Sequence, residues 1–129
     1  MGCDNHKVDD TMIILTGASG GIGNAILPML AELDDVIAIY HSKYPDIKDL
    51  DGVSVYQMDI TNENEVEEFA EIMKGKLTKI TLIHSAALAR QDNLAVQYKT
   101  EDWDDVMNVN LRGNFLLTRA LLMSMMSEK

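Results

Sequence analysis

"ILTGASGGIG", residues 14–23, places Gly17, Gly20, Gly21 and Gly23 within seven positions, directly after an apolar run. Three readings compete for it. Glycines between a strand and a helix let the backbone approach a ligand closely, and the unpaired N–H groups of a helix N-terminus attract phosphate. "GASGG" (17–21) also matches G-x-S-x-G, a nucleophile elbow around Ser19. The third reading is a structural turn that does no chemistry. The G-x-x-x-G-x-G spacing differs from the usual G-x-G-x-x-G dinucleotide fingerprint, and a P-loop is excluded because no Gly-Lys-Ser/Thr triplet follows. An elbow hydrolase needs a later acid and histidine and normally earlier strands. Only His41 and His84 follow Ser19, and the turn leaves the first strand, so this reading is the weakest for chemistry.

Outward from the turn, strand-length apolar runs alternate with helix-period segments, the pattern of βαβ units and a parallel sheet buried on both faces. Strands are predicted at 12–15, 36–40, 53–58 and 80–84. A helix at 21–33 would bury Ile22, Ile26, Leu27, Leu30 and Leu33, with Pro28 kinking or shortening it. "HSKYPDIKDLDG" (41–52) reads as a loop with one short helical turn. Thr61 or Asn62 would cap a second helix ending at Gly75. After a polar connection, Thr100 would cap a long last helix from Glu101 to about Ser127. Its apolar stripe would be Trp103, Val106, Met107, Leu111, Phe115, Leu116, Ala120 and Met123, with a bend at Gly113. Right-handed crossovers then give strand order 3-2-1-4 in a Rossmann-like, doubly wound, three-layer α/β/α sheet. Residues 1–11 form a polar N-terminal segment, and 12–129 form one domain, expected to be incomplete.

Composition narrows the function. The 129 residues carry a formal net charge of −10, against a nucleic-acid partner that would require clustered Lys and Arg. The acidic run Glu63 to Glu71 reads as a solvated helix face. Cys3 is the single cysteine, so no intrachain disulfide forms and a cytoplasmic location is expected. "MGCDNHK" lacks the Ser or Thr that N-myristoylation wants at His6. No run reaches the ~20 apolar residues of a membrane span. No metal site is expected.

"TGASGGIG" (16–23), "MDIT" (58–61) and "WDDVMNVNLRGNFLLTRALL" (103–122), in that order and spacing, resemble the short-chain dehydrogenase/reductase family from Met12 onward. The resemblance implies an NAD(P)-binding Rossmann fold that moves hydride between nicotinamide and a carbonyl or alcohol, with 3-oxoacyl reduction as one form. It implies that Gly17, Ser19, Gly21, Ile22 and Gly23 cradle the pyrophosphate and adjoining ribose. Asp59 would bond the adenine amino group, and Ile60 would line the adenine pocket. Asn110 would be the family's active-site asparagine, holding a water in the proton relay. Plainer roles exist for two of these: Asp59 as a helix cap and Asn110 as the origin of a helix bend.

Two departures from the family matter. Where N-N-A-G is common, this chain has His84, Ser85, Ala86 and Ala87, so backbone contact at Ser85 to Ala87 is retained while His84 is read as a strand-end residue. This "H-x-A-A" form resembles the extended branch of the family, and so does the spacing of Gly17, Gly20 and Gly23. The motif around Asn110 favours the standard-length branch. The family's catalytic Ser and Tyr-x-x-x-Lys pair lie after the next strand, so residues 12–129 are expected to hold the cofactor-binding half and not to transfer hydride alone. At the end of the second strand stand His41, Ser42 and Lys43 with no acid. An acid there would favour a ribose 2′-OH, so these groups favour NADP(H) over NAD(H). By resemblance, the last helix pairs subunits into a homo-oligomer. The competing reading is a noncatalytic nucleotide-binding or interaction module.

Overall fold

The computed structural model describes residues 11–76, 78–90 and 94–127. The N-terminal segment with Cys3 and His6 lies outside them, apart from Thr11. Strands β1 (Thr11–Thr16), β2 (Asp35–Tyr40), β3 (Val53–Gln57) and β4 (Thr78–Ile83) form a parallel sheet in the order β3-β2-β1-β4. This is the predicted order, with strand ends shifted by one or two residues.

Alternation along β1 assigns its two faces. Ile13 and Leu15 pack with Val36, Ala38 and Leu27 beneath α1 (Gly21–Leu33). Ile14 packs on the opposite face with Ile37, Ile39, Val66, Phe69, Leu116, Leu117 and Leu121, beneath α2 (Glu63–Met73) and α4 (Asn114–Ser127). Three layers result, with helices over both faces of the sheet.

Asn62, rather than Thr61, caps α2, its Oδ1 accepting from the Glu65 N–H at 3.2 Å. Pro28 does not break α1, which runs unbroken over 13 residues. The Pro28 ring lies on the exposed side while the neighbouring Leu27 is fully buried and anchors the helix. Ile22 and Leu33, expected in the core, are instead exposed. The segment 41–52 contains turns and no helix.

The predicted last helix is three pieces. α3 (Thr100–Met107) passes into a π-helical segment, Asn108–Gly113, and then into α4. Thr100 is the first helical residue and Lys99 takes the cap position without a side-chain bond, so the expected Thr100 cap is not formed. The wider π turn rotates α4 relative to α3, which changes the buried face. Leu116, Leu117 and Leu121 are buried, whereas Trp103, Leu111, Phe115 and Met123 of the predicted stripe are exposed. Val106, Met107 and Ala120 are half-buried. Among the described residues, no helix is long and apolar enough to cross a membrane and no cluster has metal-ligand composition.

Candidate functional site

The C-terminal ends of β1, β2 and β3 and the loop after β4 surround a cleft of about 310 Å³. A parallel sheet opens such a crevice where neighbouring crossovers leave in opposite directions. Here that point is between β1 and β4.

Backbone geometry makes the β1 rim. Gly17 has φ +64°, and a Cβ there would lie 2.6 Å from the Ala86 nitrogen. A Cβ on Gly23 would run into the Gly17 carbonyl oxygen. Both positions exclude any side chain, one by conformation and contact, the other by contact alone. Gly21 differs, since a Cβ there meets nothing within 4 Å and would project into open space. Gly20, at the N-cap of α1, makes no side-chain cap bond, so the first N–H groups of the helix face the turn uncapped.

Thr16 ties the turn to the β4 side. It is fully buried, and its Oγ1 accepts from the N–H groups of Ser85 and Ala86, both at 3.1 Å. The Ala18 N–H donates to the Ile39 carbonyl at 3.1 Å and ties the same turn to β2. The sequence reading gave Thr16 no role of its own. A hydroxyl closing an apolar strand at the start of a glycine turn was the available signal.

Asp59 forms the third rim. Its Oδ1 accepts from the Thr61 N–H at 2.9 Å and the Thr61 hydroxyl at 2.7 Å, so the capping role expected as an alternative is partly realised. Its Oδ2 lies 3.8 Å from His41 Nε2. Burial pushes the Asp59 carboxyl upward, but the two Thr61 hydrogen bonds and His41 outweigh it and hold the group below the usual carboxylate range. Beneath, Ile60 is buried against Gly113, where a Cβ would come within 2.8 Å of Ile60 Cγ1.

Of the residues singled out from sequence, Gly17, Ser19, His41, Ser42, Asp59, Ile60, Ser85, Ala86 and Ala87 line the cleft. Tyr40, Leu88 and Val109 are among its other wall residues and were not foreseen as site residues. Lys43, Gly21, Ile22 and Gly23 are not on its walls. Lys43 is exposed beyond the rim, Gly21 faces open space, and Gly23 is buried behind the turn. Ile22 and Asn110 instead line an adjoining cleft with His84, Asn114 and the same Ser85 to Ala87 backbone.

Asn110 spends its side chain on the scaffold. Its Oδ1 accepts from the Leu88 N–H at 2.7 Å and its Nδ2 donates to the Leu88 carbonyl at 3.0 Å, while its own carbonyl accepts from Asn114 Nδ2 at 2.9 Å. It lies in the π-helical segment, so the helix irregularity and the asparagine coincide. His84 Nε2 pairs with the Thr118 hydroxyl at 2.9 Å, and burial lowers its pKa. A Tyr-x-x-x-Lys spacing does occur, from Tyr44 to Lys48, in the loop after β2. Both residues are exposed and neither lines the cleft; the Tyr44 ring packs edge-on to Tyr40.

Comparison with known proteins gives a consistent picture. The family model for short chain dehydrogenase matches residues 11–129. The 3-oxoacyl-[acyl-carrier-protein] reductase FabG of Rickettsia felis is 35% identical over 118 residues, covering 90% of this chain and 48% of the relative. A closed form of serine dehydrogenase complexed with NADP+ superposes with TM-score 0.80 at 27% identity, covering 91% of this chain and 50% of that one. A short chain dehydrogenase from Leptospira borgpetersenii with bound NAD+ superposes with TM-score 0.75 at 26% identity, covering 87% and 44%. The chain thus spans about half the length of the relatives it matches.

Proposed function

This chain belongs to the short-chain dehydrogenase family, and we propose from that premise that its cleft holds a nicotinamide dinucleotide, with NADP(H) preferred over NAD(H). The observation that carries the proposal is Gly21. Its neighbours Gly17 and Gly23 are required by packing, whereas nothing in the protein fills the space before Gly21. A glycine that the fold itself does not need, beside uncapped helix N–H groups, suits a phosphate resting against the backbone.

In this reading Gly17, Ser19, Gly21, Ile22 and Gly23 form the pyrophosphate turn. Asp59 offers Oδ2 to the adenine amino group, since Oδ1 is occupied by Thr61. Ile60 and the backbone at Ser85, Ala86 and Ala87 line the remaining length. His41 and Ser42 meet the ribose edge, with Lys43 adding positive charge from outside. When bound, the nicotinamide supplies or accepts the hydride. Asn110 acts through position, its side chain fixing the Leu88 backbone and its carbonyl facing the adjoining cleft beside Asn114. The complete protein would then reduce a small-molecule carbonyl or oxidise an alcohol, with residues 11–129 inactive alone. The exposed Trp103, Leu111, Phe115 and Met123 support subunit pairing through the last helix.

Fluorescence titration with NADPH and NADH tests the cofactor reading. Saturable binding that Gly21→Val weakens at least ten-fold, with an unchanged circular dichroism spectrum, is the expected result. A folded wild-type chain that binds neither nucleotide overturns it.

A further inference from the structure

Resting on the cofactor reading above, we propose that Glu65 is a positioning residue for the adenine site: it holds the Asp59 backbone and so aims the carboxylate that meets the adenine amino group. The acidic run Glu63 to Glu71 reads in the sequence as a solvated helix face, but Glu65 is half-buried and turns back onto Asp59. Its Oε1 accepts from the Asp59 N–H at 3.0 Å. This is not the ordinary bond of a helix cap. Asn62 is the N-cap of α2, and its Oδ1 accepts from the Glu65 N–H. In the reciprocal capping box, a glutamate at this position accepts from the N-cap N–H. Here the Asn62 N–H is already given to the Asp59 carbonyl at 3.0 Å, and Glu65 reaches past it to Asp59 itself. The donor it meets has no strand to satisfy it. Among the described residues β3 is an edge of the sheet, and the Met58 N–H ends its ladder by donating to the Tyr40 carbonyl at 2.9 Å. Successive N–H groups of a strand alternate sides, so that of Asp59 turns to the open edge.

Four hydrogen bonds then fix one orientation of Asp59. Glu65 holds its N–H, Asn62 its carbonyl, and the Thr61 N–H and hydroxyl its Oδ1. Oδ2 is the oxygen that the cofactor reading gives to adenine, and His41 Nε2 stands 3.8 Å from it, beyond hydrogen-bond reach. A carboxylate framed in this way needs no ordering when a donor arrives, and the approach angle decides how well it accepts. Without the Glu65 bond, Asp59 and Thr61 stay joined to each other but the pair is released from α2. Substitution separates the reach of Glu65 from its charge. Glu65→Gln keeps an acceptor oxygen at the same length and removes the charge. Glu65→Asp keeps the charge in the first turn of α2 and is shorter by a methylene, so it falls short of Asp59. A purely structural contribution through the helix dipole follows the charge, which Asp preserves and Gln loses. The positioning role predicts the reverse order.

Fluorescence titration of the whole chain with NADPH and NADH, and with the hypoxanthine counterpart of each, reads the adenine contact directly, because oxygen replaces the amino group in the counterpart. The wild-type chain is expected to bind the adenine form at least about ten-fold more tightly, since the carboxylate meets a donor in one and an acceptor in the other. Glu65→Gln should keep that ratio. Glu65→Asp should lower it to under about three-fold by weakening the adenine form alone. General damage to α2 would instead weaken both forms together and leave the ratio unchanged. Circular dichroism establishes that each variant is folded, and Glu65→Ala serves in place of Glu65→Asp if that variant does not fold. A ratio kept by the shortened variant, or lost by Glu65→Gln, overturns the role of Glu65 and leaves the cofactor reading standing. If the wild type binds both forms equally, the assignment of Asp59 to adenine falls and this proposal with it. If the folded wild type binds no nucleotide, the cofactor reading itself falls.

Discussion

The glycine turn at residues 17–23 and the kinked helix from Thr100 to Ser127 both support the cleft, and they are shaped by opposite means. The turn is held by backbone against backbone: Gly23 against the Gly17 carbonyl, Gly17 against Ala86. The kink is held through side chains, one from outside it and one of its own. Ile60 packs into the space that Gly113 leaves, and Asn110 grips Leu88. Backbone packing tolerates nothing larger than hydrogen, while side-chain packing can yield by a change of rotamer. The turn should therefore be brittle and the kink compliant.

Gly23→Ala puts a Cβ into a carbonyl that cannot move without dismantling the turn. A loss of at least about 3 kcal/mol in denaturant unfolding is expected. A loss under 1 kcal/mol would show that the turn gives way as easily as the helix. Gly113→Ala should cost less, about 1 to 3 kcal/mol, because the obstacle is the end of the Ile60 side chain. It should also lower nucleotide affinity, since displaced Ile60 enters the cleft. Equal losses for the two variants would erase the distinction. The smallest effect concerns His84, which joins the end of β4 to α4 through Thr118. Its folded pKa lies below the ordinary histidine value, so the folded state resists protonation. Its contribution is intact above about pH 6.5 and is lost as the pH falls from there through the lower folded pKa. His84→Gln should flatten a slight decline in melting temperature between pH 7 and 5.5, and an unchanged slope would remove His84 from that coupling.

The same contrast decides what could be read in advance. Glycines at 17 and 23 declared their turn because the constraint and the residue are one thing. The sheet order followed from short apolar runs and crossover handedness, and family motifs at the strand ends picked out Asp59 and Ser85 to Ala87, which line the cleft. The π-helical segment had no such mark, since its cause lies in Ile60 and Leu88, remote in the chain. Missing it misplaced the apolar stripe: Trp103, Leu111, Phe115 and Met123 were placed on it and are exposed, while the buried Leu117 and Leu121 were left off it. The pairing of His41 with Asp59 was hidden for the same reason. Each was legible as a residue type, but their proximity belongs to β2 and β3 together.

Thr16 has a consequence in chain entropy. Its hydroxyl joins residues 69 and 70 positions apart in sequence. Closing a loop of that length costs on the order of 4 kcal/mol, and two hydrogen bonds return about 1 kcal/mol each. The clamp therefore cannot gather the chain by itself. It closes only after β1 has been enclosed between β2 and β4, so the cleft is assembled from the most distant pairing in the sheet and exists only once that pairing is complete.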